Sequence, residues 1–487
     1  MTYGMSLREL LEDWMPEAPD IVIAGISQDS RQINEGDVFV AVQGEHHHGL
    51  NFSEQAVAKG CCAIVHDGKV GVPSLGVPVV EIQELSRLLG QIACRFWAAP
   101  SDLLTLIGVT GTNGKTSVSH FLAQSWQRAL GAGGMIGTLG YGPLDSLQTA
   151  DWTTPDVFRL NQVLANCLDA GIDHVAMEVS SHALEQDRCQ TLQFDAAVFT
   201  NLSRDHLDYH RDMAAYEQAK FRLFTEFAPR FSVINHDDLV GRKWIDQWSG
   251  AGQVLSYGLA PGAELTAEVL ALDSDGMALR LQGPWGSAEF RTGLMGGFNV
   301  SNLLACAGTL ALLGMEWSEV VEQLEQLESV PGRMCRMGGE PGQPVVIVDY
   351  AHTPDALAHA LEAARCHLSG RLVCVFGCGG NRDRGKRPQM GRVAEEFSDQ
   401  VVVTSDNPRF ESVNSIINDI LSGFDQPQAA RVEADRAIAI MRAVSDSGPG
   451  DVVLVAGKGH EGWQEIAGKR MPFNDEAVVR AALEAAA

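Results

Sequence analysis

A Gly-rich turn with a lysine and a threonine stands where an apolar strand would lead into a helix. Residues 106–116 read LIGVTGTNGKT. Glycines let the backbone N–H groups of such a turn point at phosphate oxygens, and the N-terminus of the next helix adds positive potential. We predict a nucleotide site with Lys115 on the β- and γ-phosphates and Thr116 on Mg²⁺. The predicted phosphate contacts are Thr110, Gly111, Thr112, Asn113, Gly114, Lys115 and Thr116.

This loop alone leaves the reaction open. Position 109 is Val, whereas the standard GxxxxGK[ST] pattern has Gly there. A kinase, a GTPase switch and a ligase would all carry such a loop. A turn that merely joins a strand to a helix is the structural alternative.

Three further side chains are of types suited to phosphate chemistry. Each could instead have an ordinary structural role. Glu178 follows the apolar run 174–177, which predicts a carboxylate at the edge of a sheet, for a metal or for an ion pair. His206 lies in RDHLDYH, where Asp205 and Asp208 compete for the same role or the histidine caps a helix. Lys220 lies in the amphipathic stretch YEQAKFRLF, whose pattern by itself indicates a solvated lysine.

The elements around these residues indicate an α/β protein. Apolar strand-like runs alternate with helical patterns, which is typical of parallel sheets covered on both faces. In the first part they are 21–23, 38–42 and 62–65; in the second 103–109, 174–177, 196–200 and 231–235; in the third 345–348, 372–376, 401–404 and 452–456. Residues 265–292 alternate like antiparallel strands.

The length of 487 residues suggests three domains. We predict them at 1–98, 99–332 and 333–487, with a central P-loop-type parallel-sheet ATPase domain and a C-terminal Rossmann-like domain. Ligands of such sheets gather at the carboxyl ends of the strands.

Composition excludes several classes of function. The net charge of −26 disfavours a nucleic-acid-coating protein. The first residues lack the basic and apolar regions of a signal peptide, and no run of about 18 apolar residues predicts a membrane span. The ten cysteines form no CxxC pair, so we interpret them as reduced thiols, mostly buried, in a cytoplasmic protein.

Seven motifs along nearly the whole chain resemble the Mur ligases, and specifically the MurE family. They are GTNGKT (111–116), MEVSSHAL (177–184), TNLSRDHLDYH (200–210), GxFNVSN (296–302), DYAHTPD (349–355), GCGGNRDRGKR (377–387) and AGKGHE (456–461). The resemblance implies an ATP- and Mg²⁺-dependent amide-bond ligase of peptidoglycan precursor synthesis. It would add meso-diaminopimelate to UDP-N-acetylmuramoyl-L-alanyl-D-glutamate through an acyl phosphate and act as a monomer, with the first domain holding the UDP-substrate.

The resemblance also implies roles for individual residues. Lys115, Glu178, His206 and Lys220 would be catalytic, with Thr116, Glu178 and His206 on Mg²⁺ and Lys220 carbamylated to N6-carboxylysine. Further nucleotide contacts would be Asn299, Asn302, Arg333, Asp349 and His352, each of which could instead be a turn or cap residue. The asparagines stand at i and i+3 and would share one helix face.

The UDP-substrate contacts implied in the same way are Gln28, Ser30, Glu45, His46, His47, Trp152, Thr153, Thr154, Ser180, Gln186 and Arg188. Trp152 departs from the family, which often has Asn there. The histidines at 46–48 could instead belong to an exposed loop, and because adjacent side chains diverge we do not favour a metal site. Arg188 suits the carboxylates and the diphosphate of the substrate.

A segment of the third domain resembles a dinucleotide-binding site, but we do not favour dinucleotide binding. Gly377, Gly379 and Gly380 follow a strand, but the third glycine position of GxGxxG holds Arg382. By resemblance this is an amino-acid site formed by Arg382, Asp406, Asn407, Pro408, Arg409, Gly457 and Glu461. Arg409 would grip the distal carboxylate of diaminopimelate, which lysine lacks. The alternatives are an exposed arginine on an Asn-Pro turn, a lysine- or glutamate-adding ligase, and a slowly hydrolysing nucleotide switch.

Overall fold

The computed structural model describes residues 4–44, 47–68, 75–149, 152–207, 209–248, 250 and 252–486. By contacts between residues the chain divides into two compact units. Unit 1 comprises residues 1–257 with 308–313, and unit 2 comprises residues 258–307 with 314–487. This division reflects only which residues contact one another. It differs from the three domains predicted above, and those domains remain a prediction.

A small parallel sheet begins unit 1, with the strand order β1-β2-β3-β4. These strands are β1 (Gly25–Ser27), β2 (Asp37–Ala41), β3 (Ala63–His66) and β4 (Val79–Glu81). The expected strand at 21–23 is wrong. Val22 forms only an isolated bridge with Ser6 and is exposed, because the chain turns into β1 four residues later than the apolar run suggests.

A larger sheet follows in unit 1, in the order β11-β10-β9-β5-β8-β6-β7. Only the β6–β7 pair is antiparallel among these neighbours. The strands are β5 (Thr105–Thr110), β6 (Gly134–Gly137), β7 (Gly140–Pro143), β8 (His174–Glu178), β9 (Ala196–Phe199), β10 (Phe231–Asn235) and β11 (Gln253–Gly258). The carboxyl ends of β5, β6, β8 and β9 therefore lie at one edge.

The α-helices described up to residue 246 are α1 (Leu7–Leu11), α2 (Ser53–Ala58), α3 (Leu89–Phe96), α4 (Lys115–Leu130), α5 (Val157–Asp169), α6 (Ser181–Glu185), α7 (Met213–Thr225) and α8 (Leu239–Asp246). Their starts follow local chemistry. The carboxylate of Asp156 accepts from the backbone N–H groups of residues 158 and 159, and Asp212 and Asp238 cap α7 and α8 in the same way. These caps satisfy N–H groups that no helical turn can reach.

Unit 2 contains an antiparallel meander and a second parallel sheet. The meander is β12 (Leu265–Asp273), β13 (Gly276–Gly283) and β14 (Gly286–Thr292), as predicted for 265–292. The second sheet has the order β15-β16-β20-β17-β18-β19, in which only β15 runs antiparallel to its neighbour. Its strands are β15 (Cys335–Gly338), β16 (Val345–Asp349), β17 (Leu372–Phe376), β18 (Gln400–Val403), β19 (Arg431–Val432) and β20 (Val452–Ala456).

A hairpin and seven helices complete the chain's regular structure as described. The hairpin is β21 (Trp463–Ile466) and β22 (Lys469–Pro472). The helices are α9 (Phe298–Leu312), α10 (Trp317–Glu325), α11 (Pro354–Arg365), α12 (Lys386–Phe397), α13 (Val413–Leu421), α14 (Arg436–Ser445) and α15 (Asp475–Ala486). None of the helices in the described ranges is long and apolar enough to cross a membrane.

Apolar layers hold each sheet against its helices. β16, β17 and β20 are buried along their whole lengths, so one set of their side chains packs with α11 and α12 and the other with α14 and α15. This two-sided burial is what continuous apolar runs predict. All ten cysteines are free thiols, and six of them are buried.

Candidate active site

The predicted phosphate loop lies between β5 and α4 and is braced by the end of β9. Gly111 has φ 148°, and a Cβ there would lie 1.9 Å from the hydroxyl oxygen of Thr200, so only glycine fits. Asn201 accepts from two loop N–H groups: its carbonyl from Thr112 at 2.8 Å and its side-chain oxygen from Asn113 at 3.0 Å. The loop is therefore held by its neighbour strand before any ligand binds.

Two lysines converge on this loop. Lys115 Nζ donates to the carbonyl oxygens of Gly111 and Thr112, both at 2.9 Å. Lys220 Nζ donates to the same Gly111 oxygen at 2.8 Å and lies 4.5 Å from the centre of the Tyr216 ring. The side chain of Lys220 is buried, with 1% of the residue exposed, so the solvated lysine suggested by its local pattern is wrong.

The electrostatic setting of Lys220 favours a neutral amine. Burial lowers its pKa well below the ordinary value, and the charge of Lys115 lowers it further, while Asp205 acts in the opposite direction. A lysine amine must be neutral to act as a nucleophile, so this position is suited to covalent modification.

Glu178 lies at the end of β8 beside the loop. It is 1% exposed and accepts from the Thr116 hydroxyl at 3.0 Å and from the Thr138 backbone N–H at 2.7 Å. Gly137 permits this approach, since a Cβ there would lie 2.2 Å from a Glu178 carboxylate oxygen. Burial raises the pKa of Glu178, whereas the charge of Lys115 and these hydrogen bonds oppose the rise.

The oxygen atoms of Thr116 and Glu178 fit Mg²⁺, which takes oxygen ligands and commonly keeps waters and substrate phosphates. Within the described ranges no group of three or more His, Cys, Asp or Glu side chains is arranged to hold a metal. The protein would thus supply only part of a magnesium coordination shell.

His206 lies on the loop between β9 and α7. It has φ 52°, and its imidazole is 44% exposed, 3.5 Å from the Asp205 carboxylate. Its ring centre lies 4.9 Å from that of His182 and 6.0 Å from that of Tyr216. Among the described residues, no hydrogen bond or ring contact joins His206 to Thr116 or Glu178, which are hydrogen-bonded to each other. The place of His206 in the metal trio stays a prediction.

The residues predicted to touch the peptide part of the substrate gather around the same strand end. The Thr154 hydroxyl donates to the Glu178 carbonyl at 2.9 Å and accepts from the Ser180 N–H at 3.1 Å. Arg188 donates to the Thr154 carbonyl at 2.8 Å and to the Gln186 side-chain oxygen. The structure brings together Trp152, Thr153, Thr154, Ser180, Gln186 and Arg188.

Trp152, which departs from the family, makes an aromatic contact with Arg188. It is 62% exposed, and the Arg188 guanidinium carbon lies 5.5 Å from its ring centre, within cation–π range. Burial lowers the pKa of Arg188.

The predicted uridine-side residues that the structure describes lie in the loops that follow β1 and β2. Gln28 is half-buried, and the Ser30 hydroxyl donates to the Gln55 side-chain oxygen at 2.8 Å. His47 is exposed, with its ring centre 6.3 Å from that of Phe52. Glu45 and His46 lie outside the described residues.

Five predicted nucleotide contacts lie in unit 2 and are engaged locally. Asn302 donates to the Asn299 side-chain oxygen at 2.9 Å, which confirms their shared helix face. The Asp349 carboxylate accepts from two backbone N–H groups, of residues 334 and 351, at 2.8 Å each, and burial raises its pKa. Arg333 lies 5.2 Å from the Tyr350 ring centre, and His352 contacts the Tyr350 carbonyl. These contacts match the cap and turn alternatives and leave the nucleotide role a prediction.

The predicted amino-acid residues meet where β17, β18 and β20 end. Asp406 and Asn407 are buried, and the Asn407 amide donates to the Glu461 carboxylate at 2.9 Å. Gly457 has φ 119°, and a Cβ there would lie 2.8 Å from an Asp406 carboxylate oxygen. Pro408 is buried in the same turn, whereas Arg382 is exposed on the preceding loop.

Arg409 is largely buried and contacts neighbouring residues rather than extending into solvent. It has φ 51°, and its side chain is 19% exposed. It donates to the Gly380 carbonyl at 2.8 Å and lies 3.4 Å from the Glu465 carboxylate. The alternative of a solvent-exposed arginine on a turn is therefore wrong.

The structure adds residues that sequence reasoning missed. Thr138 and Tyr216 support Glu178 and the phosphate loop, and Lys458 lies inside the amino-acid group. Arg436 and Asp475 form a fully buried two-bond ion pair at 2.7 Å, and Arg436 also donates to the carbonyls of residues 405 and 456. Lys458 could have been predicted from the sequence, because it lies in the motif AGKGHE. The ion pair of Arg436 and Asp475 could not, because it joins positions 39 residues apart and no local sequence pattern indicates it.

Comparisons with known proteins identify the family of the chain. Residues 22–97 match the model of the Mur ligase family catalytic domain, residues 109–310 the Mur ligase middle domain, and residues 332–459 the Mur ligase glutamate ligase domain. The UDP-N-acetylmuramoyl-L-alanyl-D-glutamate–2,6-diaminopimelate ligase of Xylella fastidiosa (strain Temecula1) is 46% identical over 100% of this chain and 98% of its own. The protein of the same name from Xanthomonas campestris pv. campestris (strain 8004) is 47% identical over 99% and 98%. A solved structure of a ligase of this name has 34% identity and a TM-score of 0.74, covering 99% of both chains.

Proposed function

Because the chain belongs to the Mur ligase family, we propose that it is the ATP-dependent ligase that joins 2,6-diaminopimelate to UDP-N-acetylmuramoyl-L-alanyl-D-glutamate. The relatives with this printed name match it over nearly their full lengths. The product belongs to cytoplasmic peptidoglycan precursor synthesis, and we propose that the enzyme acts there as a monomer. The observation that carries the proposal is the convergence of a phosphate loop, Glu178 and the buried Lys220 at one sheet edge.

The reaction has two balanced steps. A carboxylate oxygen of the D-glutamyl residue attacks the γ-phosphorus of ATP, the bond to the β-phosphate oxygen breaks, and ADP leaves. The amine of diaminopimelate then attacks the acyl carbon, phosphate leaves with the bonding electron pair, and the nitrogen loses a proton. Phosphorylation is needed because a carboxylate is a poor electrophile. The carboxylate and the ATP phosphates are both anionic, so cations must lie between them for the transfer to occur.

The residues at the loop suit the first step. Its N–H groups and Lys115 would hold the phosphates, and Thr116 and Glu178 would hold Mg²⁺ with His206 nearby. When bound, Mg²⁺ would neutralise charge on the phosphate oxygens. Lys220 would react as a neutral amine with CO₂, forming a carbamate with loss of a proton, and so present a carboxylate beside the loop.

The substrate residues suit the anionic partner. Arg188, beside Thr154 and Ser180, offers a guanidinium to its carboxylates, and Gln28, Ser30 and residues 45–47 would hold the uridine diphosphate end. We propose the three-part division at residues 98 and 332 for these tasks, which the three matched segments support.

The acceptor end suits meso-diaminopimelate. Arg409 has one guanidinium nitrogen, Nη2, without a hydrogen bond to the residues described, and a two-bond grip on a distal carboxylate needs such a donor. Asp406 and Glu461 offer carboxylate oxygens for an ammonium group, and the Asn407 amide lies beside them and donates to Glu461.

The test is phosphate release measured with ATP, Mg²⁺, the UDP-dipeptide and a panel of diaminopimelate, lysine and glutamate. We expect release only when both the UDP-dipeptide and diaminopimelate are present. Release with ATP alone would indicate a nucleotide switch, and release with lysine or glutamate in preference would indicate a ligase with another acceptor.

A further inference from the structure

A fully buried lysine lies inside the amino-acid group and has no part in the reaction as proposed. Lys458 follows β20 by two residues and is 0% exposed. An ammonium group removed from water is strongly destabilising unless polar partners surround it. The hydrogen-bonding partners of Lys458 therefore indicate its role.

Those partners are two of the predicted diaminopimelate contacts. Lys458 Nζ donates to Glu461 Oε2 at 2.8 Å and to Asn407 Oδ1 at 3.2 Å. Asn407 Nδ2 donates to the same Glu461 Oε2 at 2.9 Å, which closes a triangle of three side chains. The Trp463 ring centre lies 5.6 Å from the ammonium nitrogen.

This triangle fixes the orientation of both partners. Asn407 Oδ1 accepts from Lys458 and also from the Glu465 N–H at 2.9 Å, so the amide is held with its oxygen inward. Glu461 uses Oε2 for both of its bonds, and its Oε1 accepts no hydrogen bond from residues that the structure describes. The carboxylate is thus anchored by one oxygen and presents the other.

We propose that Lys458 is a positioning residue for the amino-acid substrate, which together with Asn407 holds Glu461 so that its second carboxylate oxygen can accept a substrate ammonium group. The ligand class is an α-amino acid, and the inference rests on the proposed function. Pre-fixed side chains lose little entropy on binding, so the triangle strengthens binding without touching the ligand. Its hydrogen-bonding partners both belong to the pocket, unlike those of Arg436, which include strand-end carbonyls.

The experiment compares Lys458→Met and Lys458→Gln with the wild type and with Lys469→Met, whose lysine is exposed on β22. For each, kcat and the three KM values are measured for diaminopimelate, ATP and the UDP-dipeptide. We expect both Lys458 variants to raise the KM for diaminopimelate roughly 10- to 100-fold, because hydrogen bonds to a charged group are lost. The KM values for ATP and UDP-dipeptide should not change, and Lys469→Met should behave as wild type.

A general structural defect would move all three KM values together or lower only the active fraction. An unchanged KM for diaminopimelate, an equal rise in all three values, or failure of both variants to fold would each overturn the positioning role. If the wild type itself shows no diaminopimelate-dependent phosphate release, the proposed function has failed instead.

Discussion

At the scale of single residues, the chemistry depends on side chains whose charge is changed by burial. Lys220 and Lys115 donate to the same carbonyl oxygen, that of Gly111. Two ammonium groups so close repel each other, and burial at Lys220 adds a desolvation cost to its charged form. Conversion to a carbamate turns this repulsion into attraction between opposite charges.

Replacing Lys220 tests that conversion. Lys220→Ala should retain the fold and lose nearly all ligase activity, and added short carboxylates such as formate should restore part of it. Incubation of the wild type with ¹³C-labelled bicarbonate should give a carbamate signal in NMR that Lys220→Ala lacks. Lys243→Ala, at an exposed position on α8, is the control. Full activity of Lys220→Ala without additives would refute the role.

Replacing Arg409 tests the choice of acceptor. Loss of a charged two-bond contact costs roughly 2–4 kcal/mol, or about 30- to 1000-fold in kcat/KM. Lysine lacks the distal carboxylate and would leave the guanidinium without that partner, which supplies rejection. Arg409→Ala should therefore reduce use of diaminopimelate much more than use of lysine.

The measured quantity is the ratio of kcat/KM for the two amines in wild type and in Arg409→Ala. Arg470→Ala, an exposed arginine on β22, is the matched control. A wild type that prefers lysine would refute the substrate assignment; an unchanged ratio would leave the substrate in place and remove Arg409 as its selector.

At the scale of elements, position along a strand carries most of the function. The motifs at 111–116, 377–382, 404–409 and 457–461 follow β5, β17, β18 and β20, as the apolar runs predicted. Periodicity predicts where a parallel strand ends and therefore which loops share an edge. It did not predict the burial of Lys220, because α7 packs one polar side chain inward at a site that only the tertiary structure creates.

Helix α4 carries a titratable group that links its stability to pH. His120 is 8% exposed, and burial lowers its pKa to about 4. In the unfolded chain its pKa is about 6.5, so between these values the unfolded state binds a proton that the folded state does not. The free energy of unfolding should therefore fall as pH drops from about 6.5 to 4, by roughly 3 kcal/mol from this residue.

Urea unfolding midpoints between pH 4.5 and 8 measure this effect. His120→Gln should lose less stability on acidification than the wild type, even if it is less stable at pH 8. His359→Gln, at an exposed position on α11, should keep the wild-type dependence. Parallel curves for wild type and His120→Gln would contradict the assignment.

At the scale of the whole molecule, a small number of lysines and arginines must bind several anionic substrate groups. The chain has 36 lysines and arginines against 62 acidic residues, yet its predicted substrates are all anionic or zwitterionic. The cations that matter are placed locally: Lys115, Lys220 and Arg188 in unit 1, and Arg409 in unit 2. The chain passes between the units near residues 257, 307 and 313, which no composition shift marks, so the sequence could not predict that division.

The separation of ligand groups between the units predicts where each ligand stabilises the backbone. A ligand at 100 times its Kd stabilises the state that it binds by about 2.7 kcal/mol, and hydrogen exchange reports that gain where the contacts form. With an ATP analogue and the UDP-dipeptide already saturating, we expect added diaminopimelate to slow exchange at residues 404–409 and 457–461. Arg409→Ala should lose this added protection at the same diaminopimelate concentration, because its affinity for diaminopimelate is lower.

The UDP-dipeptide, added to the nucleotide complex before diaminopimelate, is the control and should slow exchange at residues 152–154 and 186–188 in both proteins. Protection by diaminopimelate confined to unit 1, or an undiminished increment in Arg409→Ala, would place the amino acid elsewhere.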